Sequence, residues 1–366
     1  MPNATKFIMI GGFLGAGKTT LISKLARQFQ ADGKHVCVVT NDQAAGLVDT
    51  ELLRSEGLDV NEVGGSCFCC NFNGLTDAMA EFETRQRPDV VLAEPVGSCT
   101  DLVATIALPM MQRLGTQFDH SPYAVVLKPS HALRILSGGQ AGFSPKAEYI
   151  FRKQLEESEL VLINRIDELS DEQVQTLRDH IDEQYPGRQV IGISARTGEN
   201  LDRVSEALRA SAASRNHLME VDYDVYADGE AELGWLNATA TLAAGKGLSL
   251  DDLAVGLVES IRRELLVADA EPAHLKILCS SARDVSVANL VSSDTDTMLS
   301  VSSQNAASEI KVVVNARVCI APELLRPLVE NVLEQMAEQH EAALQVEQME
   351  AFRPGRPEPT HRVTSL

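Results

Sequence analysis

Three cysteines in four residues, Cys67-Phe68-Cys69-Cys70, follow a glycine-rich loop that reads Gly12-Phe13-Leu14-Gly15-Ala16-Gly17-Lys18-Thr19-Thr20. The loop has the G-x-x-x-x-G-K-[ST] spacing of a phosphate cradle. Its glycines let backbone N–H groups close around phosphate oxygens, its lysine reaches the β- and γ-phosphates, and the hydroxyl after it ligates Mg²⁺. That chemistry names Gly12, Gly15, Ala16, Gly17, Lys18, Thr19 and Thr20 as nucleotide-binding residues, with Lys18 also catalytic and Thr19 also a Mg²⁺ ligand. Three closely spaced thiols are soft donors that suit Zn²⁺ or Co²⁺. In that reading Cys67, Cys69 and Cys70 are ligands, and a fourth position is open to Asp42, to water or to an outside donor. The same letters also fit a buried thiol cluster without metal, or a redox pair.

The elements that must position these groups are legible around them. Phe7-Ile8-Met9-Ile10 reads as a buried strand before the loop, and Leu21-Ile22-Ser23-Lys24-Leu25 starts a helix after it, so phosphate would sit at a helix N-terminus. Further β-rich runs recur at 35–40, 89–94, 123–127, 160–164 and 189–194, most of them separated by helical patterns. Strands buried on both faces and alternating with helices predict an α/β fold with a mostly parallel, doubly wound sheet. Residues 135–147 are glycine-rich and read as a loop.

This nucleotide domain is expected over residues 1–209, with the small, polar and acidic segment 210–231 as a linker. Beyond it, strands at 232–244, 274–280, 285–292 and 310–318 and helices at 249–268 and 321–345 predict a smaller α+β domain over 232–350. Pro327 kinks the last helix or marks its start. The proline-bearing tail 351–366 is expected to be extended or disordered.

More nucleotide chemistry follows in order. Glu94 ends a strand and is placed for Mg²⁺ or a Mg²⁺-bound water, and the Gly97 N–H can approach a γ-phosphate. Asp42 and Asp49 are candidates for a first switch segment, with Asp49 read as catalytic; a solvated acidic loop is the alternative. Asn164-Arg165-Ile166-Asp167 resembles the NKxD element of GTPases, whose Asp accepts hydrogen bonds from guanine N1 and N2. Ser194-Ala195 resembles the companion base-binding loop. An ordinary Asn/Asp turn after a strand has the same letters as the first of these.

Composition bounds the partners. The chain has 366 residues, long enough for two domains, and a net charge of −20 from 52 Asp plus Glu against 32 Lys plus Arg. That balance opposes a nucleic-acid backbone. No apolar run is long enough for a membrane span, no signal peptide is read, and seven cysteines without a disulfide pattern fit a reducing cytoplasm. Cys37, Cys279 and Cys319 fall in strands and read as core. Cys99 reads as a packed small residue and His361 as solvated.

Together the GGFLGAGKTT loop, Asn41-Asp42 with Asp49, the CxCC at 67–70, Glu94-x-x-Gly97 and Asn164-Arg165-Ile166-Asp167 resemble the CobW family of P-loop GTPases over roughly residues 5–205. The resemblance implies hydrolysis of GTP with Mg²⁺, coupled to binding and delivery of Zn²⁺, Co²⁺ or iron to a client metalloenzyme or apo-protein. A homodimer that forms with nucleotide state is compatible with it. The chain departs from the family pattern at Asp42, where Glu is usual; at Ala45, where a second acid is usual; at Ser66, where the glycine is usually adjacent to the first cysteine; at Lys128, where Asp is usual; and at Arg165, where Lys is usual. The other reading is a nucleotide-dependent regulatory module that holds or reactivates a client such as a corrinoid enzyme, its cysteines structural only.

Overall fold

The computed structural model describes residues 4–43, 47–139, 144–212 and 218–365; Ala45 lies outside them. In chain order the elements are β1 (Thr5–Gly11), α1 (Lys18–Ala31), β2 (Val36–Asn41), α2 (Val48–Ser55), β3 (Asp59–Val63), α3 (Phe72–Arg85), β4 (Val90–Glu94), α4 (Leu108–Leu114), β5 (Phe118–His120), β6 (Ala124–Leu127), α5 (Pro129–Leu136), α6 (Pro145–Glu157), β7 (Leu160–Ile163), α7 (Asp171–Gln184), β8 (Gln189–Gly192) and α8 (Leu201–Arg209). They continue with α9 (Tyr223–Ala231), β9 (Gly234–Ser249), α10 (Leu250–Val267), β10 (Pro272–Ser280), β11 (Val285–Leu290), β12 (Met298–Val301), β13 (Ala306–Val318), α11 (Pro322–Gln339) and β14 (Ala342–Phe352). The chain divides into two compact units. One is Met1–Gln43, Glu56–Gly229 and Arg356–Leu366; the other is Ala44–Ser55 and Glu230–Gly355.

The first unit holds a parallel sheet in the order β3-β2-β4-β1-β6-β7-β8, with β5 pairing β1. Apolar strands such as β2 and β7 are buried along their whole length, as a sheet covered on both faces requires. Two strands escape the sequence reading for opposite reasons. β3, Asp59-Val60-Asn61-Glu62-Val63, is a polar edge strand with only Val60 and Val63 buried, and β5 is three residues long. The loop read at 135–147 is bounded by helices that begin and end inside it, α5 reaching Leu136 and α6 starting at Pro145; residues 140–143 lie outside the described chain.

The second unit is an antiparallel sheet in the order β12-β11-β10-β13-β9-β14. Strand periodicity sorts β13: Ile310, Val312, Val314, Ala316 and Val318 join the core with α10 and α11, while Val313 joins a smaller cluster with Val48 and Leu52 of α2. So α2, which precedes the thiol segment in sequence, is a helix of this second unit. The helix read at 321–345 runs through Pro327 and stops at Gln339. Glu341 takes φ 51°, and the chain turns into β14, which pairs β9. The segment read as a linker, 210–231, contains α9, and residues 213–217 of it lie outside the described chain. Among the described residues no helix is long and apolar enough to cross a membrane.

Candidate nucleotide and metal site

The phosphate loop bridges β1 and α1 beside the sheet's central strands. Gly17 has φ +94°, and a Cβ there would meet Asn164 Nδ2 at 2.4 Å, so only glycine admits the close approach of the base-side loop. Asn164 uses that approach. Its Nδ2 donates to Ala16 O at 2.8 Å, and its Oδ1 accepts the N–H of Ala195 at 2.9 Å and of Arg165 at 2.8 Å. One side chain thereby joins the phosphate loop, the Asn164–Asp167 turn and the Ser194-Ala195 loop. Asp167 sits in that turn, and the Arg196 guanidinium donates to its carboxylate. Against the cost of partial burial, hydrogen bonds from Ser194 and Arg196 hold Asp167 below the usual carboxylate range, ready to accept N–H donors as an anion.

Lys18 is buried and donates to Gly12 O at 3.1 Å, which places its ammonium at the curve of the loop. Thr19 Oγ1 donates to Glu94 Oε1 at 2.9 Å. A hydroxyl and a carboxylate so paired are hard oxygen donors, the set that Mg²⁺ takes alongside phosphate oxygens and water. Thr20 follows in α1. Gly97, three residues beyond Glu94, comes close to the same lysine: a Cβ on it would lie 3.0 Å from Lys18 Nζ. The segment after Gly97 is tied to α6. Gln154 Nε2 donates to Gly97 O at 3.0 Å and to Cys99 O at 2.9 Å, while Glu157 accepts from Thr100 Oγ1 at 3.0 Å and from Val103 N at 3.1 Å. Burial pushes Glu157 up to about 8.

The thiol segment is built at the end of β2. Asn41 Nδ2 donates to Val63 O at 2.7 Å and Ser66 O at 2.8 Å, and its Oδ1 accepts the N–H of Phe68 at 2.7 Å. Asn41 thus fixes the whole turn from β3 to the cysteines. Asn71 then caps α3 by accepting from Gly74 N at 3.0 Å, so the thiols stand at a helix N-terminus, where partial positive charge favours thiolate. The sulfur separations are 2.9 Å for Cys67–Cys69, 3.2 Å for Cys67–Cys70 and 3.7 Å for Cys69–Cys70. Thiolates around one tetrahedral Zn²⁺ stand about 3.8 Å apart, from bonds of about 2.3 Å. The turn therefore needs to open by less than about one ångström to take such an ion. Hydrogen bonds from the Cys69, Cys70 and Cys99 thiols hold Cys67 well below the usual thiol range despite its burial. The bond to Cys67, with burial, pushes Cys70 up to about 11.

Three placements qualify the sequence reading. Asp42 is buried, but among the described residues the cluster that can hold a metal here comprises only Cys67, Cys69 and Cys70. Cys99, read as a packed small residue, is buried and is also hydrogen-bonded to both Cys67 and Cys69. No local pattern marks it, since the contact spans about thirty residues of chain. Asp49 belongs to the second unit, where its carboxylate is committed to Lys276 and the neighbouring Val48 N–H donates to Asn315 Oδ1 at 2.9 Å. Lys128 is buried with its Nζ 3.1 Å from His131 Nε2, and burial with the Lys128 charge pushes His131 down to about 2.

The C-terminal segment is extended and packed rather than loose. Glu358 N donates to Cys70 Sγ at 3.2 Å, Thr360 N to Cys69 O at 2.8 Å and Thr360 Oγ1 to Cys70 O at 2.8 Å. His361 stacks edge-on to Phe72 at 5.0 Å between centroids. Arg362 pairs with the buried Asp101 at 2.6 Å, and Tyr223 donates to the same carboxylate at 2.7 Å.

A parallel sheet with a phosphate loop after its central strand defines a P-loop nucleotide-binding protein. Residues 6–192, just over half of the chain, match the family model for the CobW/HypB/UreG nucleotide-binding domain, and the chain belongs to that family. It is 28% identical over 212 residues to the zinc chaperone CobW of Sinorhizobium sp, covering 52% of this chain and 59% of that protein. It is 27% identical over 191 residues to the zinc chaperone YeiR of Escherichia coli strain K12, covering 51% and 54%. The chain therefore spans a little over half the length of these curated relatives. Among solved structures, the Zn(II)-bound YjiA GTPase from E. coli aligns over 90% of this chain and 99% of that one at 11% identity and a TM-score of 0.38. HypB from Helicobacter pylori in complex with nickel aligns over 56% and 85% at 16% identity and a TM-score of 0.40.

Proposed function

We propose that this chain is a GTP-hydrolysing metal chaperone or metalloenzyme-maturation factor. It binds GTP with Mg²⁺ on the phosphate loop, holds a transition metal ion as cargo on Cys67, Cys69 and Cys70, and passes that ion to a client. One observation carries the reading: Gly97, against Lys18, and Cys99, hydrogen-bonded to the Cys67 and Cys69 thiols, are two residues apart in one short segment. A shift of the Gly97 N–H toward a γ-phosphate moves Cys99 against the thiols, so phosphate occupancy and metal grip are linked through the same backbone.

The parts act as follows. Lys18 neutralises charge on the β- and γ-phosphates. Thr19 and Glu94 would hold Mg²⁺, which would supply charge neutralisation on the phosphate oxygens. Asp167 accepts from the guanine edge in place of Arg196, with Asn164, Ser194 and Ala195 holding the base-side loops. Three thiolates and a helix N-terminus grip a borderline-soft ion, and Cys99 or a client donor completes its shell. Zn²⁺ is the cargo favoured by the names of the relatives and by tetrahedral sulfur ligation; Co²⁺ and Fe²⁺ suit the same donors. Protein loaded with Zn²⁺ and supplied with Mg²⁺-GTP is expected to pass the ion to a fluorescent chelator faster than with GDP. Equal transfer rates with GTP, GDP and a non-hydrolysable analogue would remove the delivery reading.

A further inference from the structure

His35, Cys37 and Asp59 gather at the opposite end of β2 from Asn41, and their ligand atoms all lie within 4.8 Å of one another. Topology brings them together. Cys37 and Asp59 are partners in register across the parallel pair β2–β3, and His35 lies two residues before Cys37, on the same face. Asn41 lies four residues beyond Cys37 along β2, about 13 Å of chain, so this group is distinct from the thiols that Asn41 supports.

The donor spacing is close to what one ion requires. Cys37 Sγ is 4.0 Å from His35 Nε2 and 3.7 Å from Asp59 Oδ2. A tetrahedral ion bonded at about 2.3 Å to sulfur and about 2.0–2.1 Å to nitrogen or oxygen holds such pairs about 3.5 Å apart. Two of the three donors also carry the outer contacts that orient metal ligands. His35 Nδ1 faces Arg87 O at 3.3 Å; donating its proton there leaves the Nε2 lone pair on the Cys37 side. Asp59 Oδ1 accepts from Arg85 at 2.9 Å, which leaves Oδ2 toward Cys37. Cys37 is fully buried while His35 and Asp59 are half-buried, so the sulfur is the floor of a site reachable from solvent.

We propose that His35, Cys37 and Asp59 form a second, exchangeable site for a borderline-soft divalent transition ion such as Zn²⁺ or Co²⁺, with water in the fourth position. On binding, the Cys37 thiol releases its proton to solvent, and thiolate and carboxylate together cancel the charge of the ion. An N, S, O donor set selects against Mg²⁺ and Ca²⁺, and three protein ligands with one open position suit exchange rather than permanent structural binding.

Titration of the full chain with CoCl₂, free of nucleotide, tests this. The parent is expected to bind two equivalents. The Cys67→Ser/Cys69→Ser/Cys70→Ser variant is expected to keep one, with a weaker sulfur-to-cobalt absorption that disappears when Cys37→Ser is added. His35→Gln and Asp59→Asn, at half-buried positions, are each expected to weaken that remaining site more than tenfold, and they decide the matter if Cys37→Ser does not fold. A triple-serine variant that binds no Co²⁺, or whose cobalt spectrum is indifferent to changes at 35, 37 and 59, would overturn the proposal. A parent that binds one equivalent, kept in the triple-serine variant and lost when Cys37→Ser is added, would leave this second site standing without the first.

Discussion

Lys18→Ala is expected to lower GTP turnover by at least about a hundredfold while the protein stays folded, since one lost donor to developing charge costs about 10²–10³ in kcat. The lysine is buried beside Gly12 O and against Gly97, at the curve of the loop. Its ammonium is therefore the charge available to the β- and γ-phosphates. Folding should survive. Alanine is the best helix former at the first residue of α1, and the lost bond to Gly12 O is worth only about 1 kcal/mol. Steady-state phosphate release with Mg²⁺-GTP, beside a thermal melt, checks both halves. A folded variant turning over within a few-fold of the parent would remove the assignment of Lys18 and the hydrolysis that rests on it.

The Cys67→Ser/Cys69→Ser/Cys70→Ser variant is expected to lose one tightly bound Zn²⁺ per chain, with affinity at that site falling by more than about a thousandfold. Structural zinc sites bind with about 10–16 kcal/mol, and losing half of even the lower figure shifts Kd by more than three orders of magnitude. Serine nearly preserves the shape of each thiol but does not ionise near neutral pH, so ligation is removed and packing is kept. With Co²⁺ the sulfur-to-metal absorption is expected to fall to roughly a quarter, the share of one thiolate in four, held by Cys37. Equilibrium dialysis and the cobalt spectrum read both quantities. A triple variant that keeps both equivalents at parental affinity would show that these thiols are not ligands.

The residues differ in how far the chain announces them. Lys18, Thr19, Asn164 and the three cysteines are legible because their chemistry depends on short-range spacing, and β2, β4 and β7 because burial on both faces forces continuous apolar runs. Cys99 and Asn41 are visible as residues but not as partners. The contact of one with Cys67 and the grip of the other on Val63, Ser66 and Phe68 arise only when the sheet brings distant segments together. The end of α11 is missed because Ala342, Leu344 and Val346 continue an apolar pattern that helix and strand both tolerate, and the turn rests on Glu341 adopting a positive φ, which no glycine signals. The prolines of the tail leave both an extended and a disordered segment open. Its order comes from backbone donors meeting Cys69 and Cys70 and from Arg362 meeting a buried Asp101, and composition records neither.

The link between nucleotide and metal rests on the short path from Gly97 to Cys99, and one measurement addresses it directly. In a Cys37→Ser background, so that a single class of thiolate site remains, Zn²⁺ affinity is measured by chelator competition with GDP bound and again with a non-hydrolysable GTP analogue bound. The two affinities are expected to differ by roughly 5–150-fold, the range of a coupling of about 1–3 kcal/mol between two sites. Equal affinities in the two states would contradict the account, leaving a nucleotide site and a metal site on one chain with no switch between them.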